Sequence, residues 1–71
     1  MNMRTLLIGE RVRIHPASSW FMRGVTHAVV TSKHNIGGDT LYYLRNDTAS
    51  VKVKASYRIK LYRRDILAEG E

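Results

Sequence analysis

The 71-residue chain contains no cysteine. That excludes a disulfide framework, a thiolate zinc site and a thiol nucleophile. It also contains one proline, one tryptophan and one phenylalanine, so few large rigid side chains are on hand to fill a core. A chain this short makes one domain and buries about 60% of its unfolded surface. Apolar packing must hold that domain together, unaided by a covalent staple unless a second copy contributes. Long apolar runs are missing too. The opening stretch offers only Leu6, Leu7 and Ile8 in succession. A signal peptide needs about 7–15 apolar residues, and a membrane helix about 20. The expectation is a soluble, cytoplasmic protein with no membrane partner.

Acidic residues are scarce as well. Twelve Lys and Arg face six Asp and Glu, a net charge of +6. The excess is local. Between positions 45 and 64 stand Arg45, Lys52, Lys54, Arg58, Lys60, Arg63 and Arg64, seven cations against Asp47 alone, which gives +6. Elsewhere five cations and five carboxylates cancel. A basic stretch of this kind is the footprint of a polyanionic partner, usually nucleic acid. The plainer alternative is a solvated face that aids solubility and guards a sheet edge.

What the chain has in quantity is period-two alternation, on a hydrophobic content of 44% that is ordinary for a folded domain. Val51, Val53, Ala55, Tyr57, Ile59 and Leu61 alternate with Lys52, Lys54, Ser56, Arg58, Lys60 and Tyr62. Such a run is a strand with one apolar and one basic face. It is long for a strand, so a bend is expected near Ala55 and Ser56. Residues 11–15 form a second alternating run, with Val12 and Ile14 inward. Residues 25–31 are rich in β-branched side chains, and Val29-Val30 suggests burial on both faces or a local irregularity. Residues 41–44 make a further strand. Residues 33–39, with Gly37-Gly38-Asp39, read as a hairpin connection, and residues 46–50 as a second turn. No window has helical periodicity. A single 3₁₀ turn near residues 63–67 is the one helical candidate. Five short strands in about 60 residues are too few for a two-sheet sandwich. The expected fold is all-β, a small SH3-like barrel of about five antiparallel strands. It forms a single domain over residues 1–71, with the barrel itself at about 9–67, a short N-terminal lead and a frayed C-terminal tail.

Three stretches carry a family resemblance: Gly9-Glu10-Arg11-Val12-Arg13-Ile14-His15-Pro16, then Phe21-Met22-Arg23-Gly24, then Ala28-Val29-Val30. They resemble small SH3-like barrel proteins of bacteriophage and prophage type, and more weakly the KOW motif, which has a glycine where this chain has Ala28. The resemblance implies a β-barrel, and KOW domains often bind RNA or protein.

The candidate nucleic-acid site is Arg45, Lys52, Lys54, Arg58, Lys60, Tyr62, Arg63 and Arg64. Alternate residues on a strand lie about 6.5–7 Å apart, close to the spacing of phosphates along a nucleic-acid strand. Tyr62, and Tyr42 if suitably registered, would offer stacking for unpaired bases. A second candidate is the loop with Trp20, Phe21, Met22 and Arg23, which would serve a protein partner or self-association as an interaction module or small virion component. Phe21 is expected to fold back into the core and Trp20 to be the partly exposed contact residue. Gly24 is expected at positive φ, and Arg23 either extends the basic patch or pairs with Glu10. His15, His27 and His34 have no metal-ligand spacing, and no phosphate-binding loop follows Gly37-Gly38. An enzyme, a cofactor, a metal or a small-molecule substrate is therefore not expected.

Overall fold

A computed structural model describes residues 4–48 and 58–68. The elements run β1 (Arg11–Ile14), a single helical turn α1 (Ser19–Met22), β2 (His27–Ile36), β3 (Asp39–Asn46), β4 (Arg58–Tyr62), a 3₁₀ turn (Arg63–Asp65) and β5 (Ile66–Leu67). All five strands are antiparallel neighbours in one sheet, in the order β4-β3-β2-β1-β5. The two outermost strands of that order, β4 and β5, are consecutive in the chain. In a flat sheet they would lie about 19 Å apart, four interstrand gaps. The four steps from Tyr62 to Ile66 reach at most about 14 Å. The sheet therefore curls, and the all-β fold of five antiparallel strands expected from the alternation is what forms.

The inside of the curl is apolar. Val12 and Ile14 from β1, Val25 just before β2, Ala28 and Val30 from β2, Tyr42 and Leu44 from β3, and Ile59 and Leu61 from β4 are buried, with Ile66 and Ala68 at the C-terminal side. Each strand contributes alternate residues, as the pleat requires. The apolar half of the 51–62 alternation can be followed only through Ile59 and Leu61. Val51, Val53, Ala55 and Tyr57, and the bend at Ala55 and Ser56, lie outside the described residues.

Two features of the β2–β3 hairpin differ from expectation. The connection is not residues 33–39 but two glycines, since β2 runs to Ile36 and β3 starts at Asp39. Gly37 and Gly38 have φ of +53° and +89°, the pair of positive values that a two-residue I′ turn demands. Lys33, His34 and Asn35 resemble loop residues because the outer half of the hairpin is exposed along β2. Ladder hydrogen bonds need no apolar face. The irregularity expected at Val29-Val30 is a bulge. The register shifts between Val30 and Ser32, and the extra residue, Thr31, donates its hydroxyl to the Tyr43 carbonyl at 3.1 Å.

The N-terminal lead also enters the core. Leu6 is fully buried, and its amide donates to the Tyr42 hydroxyl at 3.2 Å. Arg4 grips both carboxylate oxygens of Glu10, and Glu10 accepts the Leu7 amide at 3.0 Å. These bonds fold residues 4–10 into a clip that seats Leu6. Leu6→Ala should cost about 2–5 kcal/mol in urea unfolding, the range for a buried leucine.

The clip also makes stability pH-dependent. The Arg4 hydrogen bond, then the Leu7 amide, pulls the Glu10 carboxyl from 4.5 down to about 2. Its folded pKa is below its unfolded one, so this stabilisation is complete above about pH 4.5 and is lost as pH falls towards 2. Glu10→Gln should flatten that part of a Tm-against-pH curve while lowering Tm at neutral pH.

Candidate functional site

Because one face of β3 and β4 is committed to the core, the alternate residues must point outward. The register pairs them in three rows: Arg45 opposite Arg58, Tyr43 opposite Lys60, and Leu41 opposite Tyr62. Arg45, Arg58 and Lys60 are exposed, and Leu41, Tyr43 and Tyr62 are half-buried. On the β2 side the rows continue with Val29 beside Arg45, Ser32 beside Tyr43 and His34 beside Leu41.

Cations and rings interleave on this face. The Lys60 Nζ stands 5.8 Å from the centre of the Tyr43 ring, and the Arg64 guanidinium 5.5 Å from that of Tyr62. Both distances lie within cation–π range. An open groove of about 530 Å³ runs beside Tyr43, lined by Thr31, Tyr43, Leu44, Arg58 and Lys60. Among the described residues, no carboxylate pairs with Arg45, Arg58 or Lys60. Asp47, the sole acid of the basic segment, is held by Arg11 at 2.7 Å.

Of the residues proposed from the sequence, Arg45, Arg58, Lys60, Tyr62 and Arg64 thus belong to the β3–β4 ladder or the turn that follows it. Lys52 and Lys54 lie outside the described residues. Arg63 differs in role: its Nε donates to the Arg4 carbonyl at 2.8 Å and its Nη1 to the Ile66 carbonyl at 2.7 Å. A guanidinium engaged on two backbone carbonyls ties the chain ends together and is not presented to a ligand.

Tyr42 is corrected as well. It is 2% exposed and faces the core. The aromatic on the outer face of β3 is Tyr43, opposite Lys60. Leu41-Tyr42-Tyr43-Leu44 is apolar on both faces, so period two alone does not choose between the tyrosines. Arg45 does: a charged residue must face solvent, and Tyr43, two positions earlier, shares its side.

The second candidate site is rearranged. Ser18 caps α1, its Oγ accepting the Trp20 amide at 3.2 Å, and the Val25 amide returns to the Trp20 carbonyl at 3.0 Å. Trp20 is the residue that packs against the core, while Phe21 is 37% exposed and Met22 81%. The expected roles of Trp20 and Phe21 are exchanged. On a helical turn successive side chains diverge by about 100°, so only one of two neighbours can face inward. Arg23 lies over the Trp20 ring at 4.9 Å and does not pair with Glu10, which Arg4 occupies. Gly24 has the expected positive φ, +99°.

Among the described residues, no group of three or more His, Asp or Glu is placed to hold a metal ion. No helix among them is long and apolar enough to cross a membrane. Comparison with protein-family models, with curated proteins and with solved structures gives no match to this chain. The interpretation of the β3–β4 face therefore rests on its geometry.

The contrast between Arg63 and Arg58 is measurable. Arg63→Ala should lower stability by about 1–3 kcal/mol, because two charge-assisted hydrogen bonds to backbone carbonyls are lost. Arg58→Ala should change stability by no more than about 0.5 kcal/mol. Urea denaturation of the two variants checks this.

Proposed function

We propose that this chain is a small SH3-like barrel protein of the phage or prophage accessory kind. In this reading it binds nucleic acid through the outer face of β3 and β4 without reading base sequence. The observation that carries the reading is the Arg45–Arg58 pair. The two arginines are direct cross-strand partners, with Lys60 in the next row and no carboxylate on any of the three among the described residues. Like charges directly opposite on a ladder destabilise it. The ladder is weakened by this arrangement, whereas a phosphate between the two arginines would relieve their repulsion.

The mechanism is electrostatic tracking. Arg58 and Lys60 occupy alternate positions on one strand, about 6.5–7 Å apart. Successive phosphates can engage successive cations while the base edges stay unread, since phosphate contacts carry no sequence information. Phe21 and Met22, exposed together at the loop, support a second reading, a contact surface for a protein partner or another copy. A Met22→Ser variant with unchanged partner capture and oligomeric state would remove it.

Fluorescence anisotropy with labelled DNA and RNA at several salt concentrations tests the main reading. If four or five phosphates are engaged, log K should fall against log salt with a slope of about −3 to −4.5. Arg45→Glu separates binding from folding. It converts the repulsive pair into an attractive one, so stability should rise by about 0.2–1 kcal/mol. Affinity should fall steeply in the same variant. A folded Arg45→Glu protein with wild-type affinity would overturn the proposal.

A further inference from the structure

Resting on that reading, we infer that the ligand of the β3–β4 face is single-stranded nucleic acid, held by stacking unpaired bases on Tyr43 and Tyr62. The two rings share the outer face of adjacent strands. Tyr43 is opposite Lys60, and Tyr62 is two positions further along β4 from Lys60. They are therefore diagonal neighbours, within the reach of aromatic side chains across a ladder. Neither ring belongs to the buried core. The core takes Tyr42 instead and satisfies its hydroxyl with the Leu6 amide. Neither the Tyr43 nor the Tyr62 hydroxyl has a hydrogen-bond partner among the described residues.

What the rings touch is also informative. In the free protein Lys60 and Arg64 stand over them at 5.8 and 5.5 Å. A base carries a flat π-face and can take the cation's place on the ring. The displaced ammonium or guanidinium is then free to meet the phosphate next to that base. The groove beside Tyr43, about 530 Å³, falls within the usual size range of small-ligand sites. Arg58 and Lys60 line it together with Tyr43, so a base on the ring and its phosphate on the cations can be held at once. The Arg45–Arg58 row receives the neighbouring phosphate.

A duplex cannot use this arrangement. Its bases are stacked on each other, and only phosphates and groove edges reach the protein. On a face that binds duplex, two outward tyrosines could contribute only their hydroxyls to phosphates, a contact that Tyr→Phe variants remove while ring stacking survives. A single strand presents every base face, and stacking on tyrosine accepts all of them, which agrees with binding that ignores sequence.

The test uses the full chain with labelled oligo(dT), oligo(rU) and a duplex of the same length. Wild type should bind the single strands more tightly than the duplex. Tyr43→Ala and Tyr62→Ala should each weaken single-strand binding by about 5- to 150-fold and leave duplex binding unchanged. Tyr43→Phe and Tyr62→Phe, which keep the ring, should retain single-strand affinity. If an alanine variant unfolds, Tyr43→Leu and Tyr62→Leu keep the bulk without the aromatic face and should show the same loss. Equal affinity for single strand and duplex, or leucine variants that bind like wild type, would overturn the inference. In that case an Arg45→Glu loss would leave the electrostatic reading standing. Failure of the wild-type protein to bind any of the three probes would overturn both.

Discussion

The short link between the two ends of the sheet is the constraint on which the rest depends. β4 and β5 are the outermost strands of the order, yet only Arg63–Asp65 separate them in the chain. A sheet with its ends so tied has an inside and an outside. The inside collects the apolar alternates of each strand, and everything on the other parity must face water. The turn also carries Arg63, whose guanidinium reaches both the Arg4 and Ile66 carbonyls. The residue that marks the closure thus also anchors the N-terminal lead, and the lead brings Leu6 to Tyr42. In a chain with one Trp and one Phe, recruiting Leu6 from outside the strands adds apolar volume that the strands alone lack.

The outer face follows from the same parity. Once Tyr42, Leu44, Ile59 and Leu61 are inside, Tyr43, Arg45, Arg58 and Lys60 are outside together, in register. The sequence tolerates a like-charge pair there and supplies no acid to relieve it. Nearby cations are treated differently. Arg4 has Glu10 and Arg11 has Asp47. The outer face of β3 and β4 is set apart by having a cross-strand pair of arginines with no carboxylate beside it among the described residues. The cation–π contacts with Tyr43 and Tyr62 are worth about 0.5–1 kcal/mol each at exposed sites. A contact of that size orients a side chain, and a base with adjoining phosphate can displace it.

Much of the fold was legible because it depends on period two. Val12 and Ile14, and Ile59 with Leu61, faced inward as the alternation required, and Gly24 adopted its positive φ. The misplacements fall where alternation is silent. Tyr42 and Tyr43 are adjacent aromatics in a stretch apolar on both faces, and only the parity of Arg45 beyond it tells which turns inward. The extent of the β2–β3 hairpin was hidden because its outer half is polar, and polar strands look like loops. Trp20 and Phe21 exchanged roles because a single helical turn is too short to show a period. Leu6 gives its side chain to the core and its amide to the Tyr42 hydroxyl, and Arg63 bonds the Arg4 and Ile66 carbonyls; no local pattern announces such contacts. The basic face is legible as charge; that Tyr43 shares it follows from the parity of Arg45, and that Arg63 is engaged on backbone carbonyls shows only in its hydrogen bonds.

The outer side of β3 and β4 is the proposed nucleic-acid face. The most direct measurement is a titration of the isotopically labelled protein with unlabelled oligo(dT), followed through amide and side-chain NMR signals. The account requires the largest shifts at Tyr43, Arg45, Arg58, Lys60 and Tyr62, with the Arg63 guanidinium, Trp20 and Met22 unmoved. Shifts centred on Phe21 and Met22, or no shifts at low salt, would contradict it.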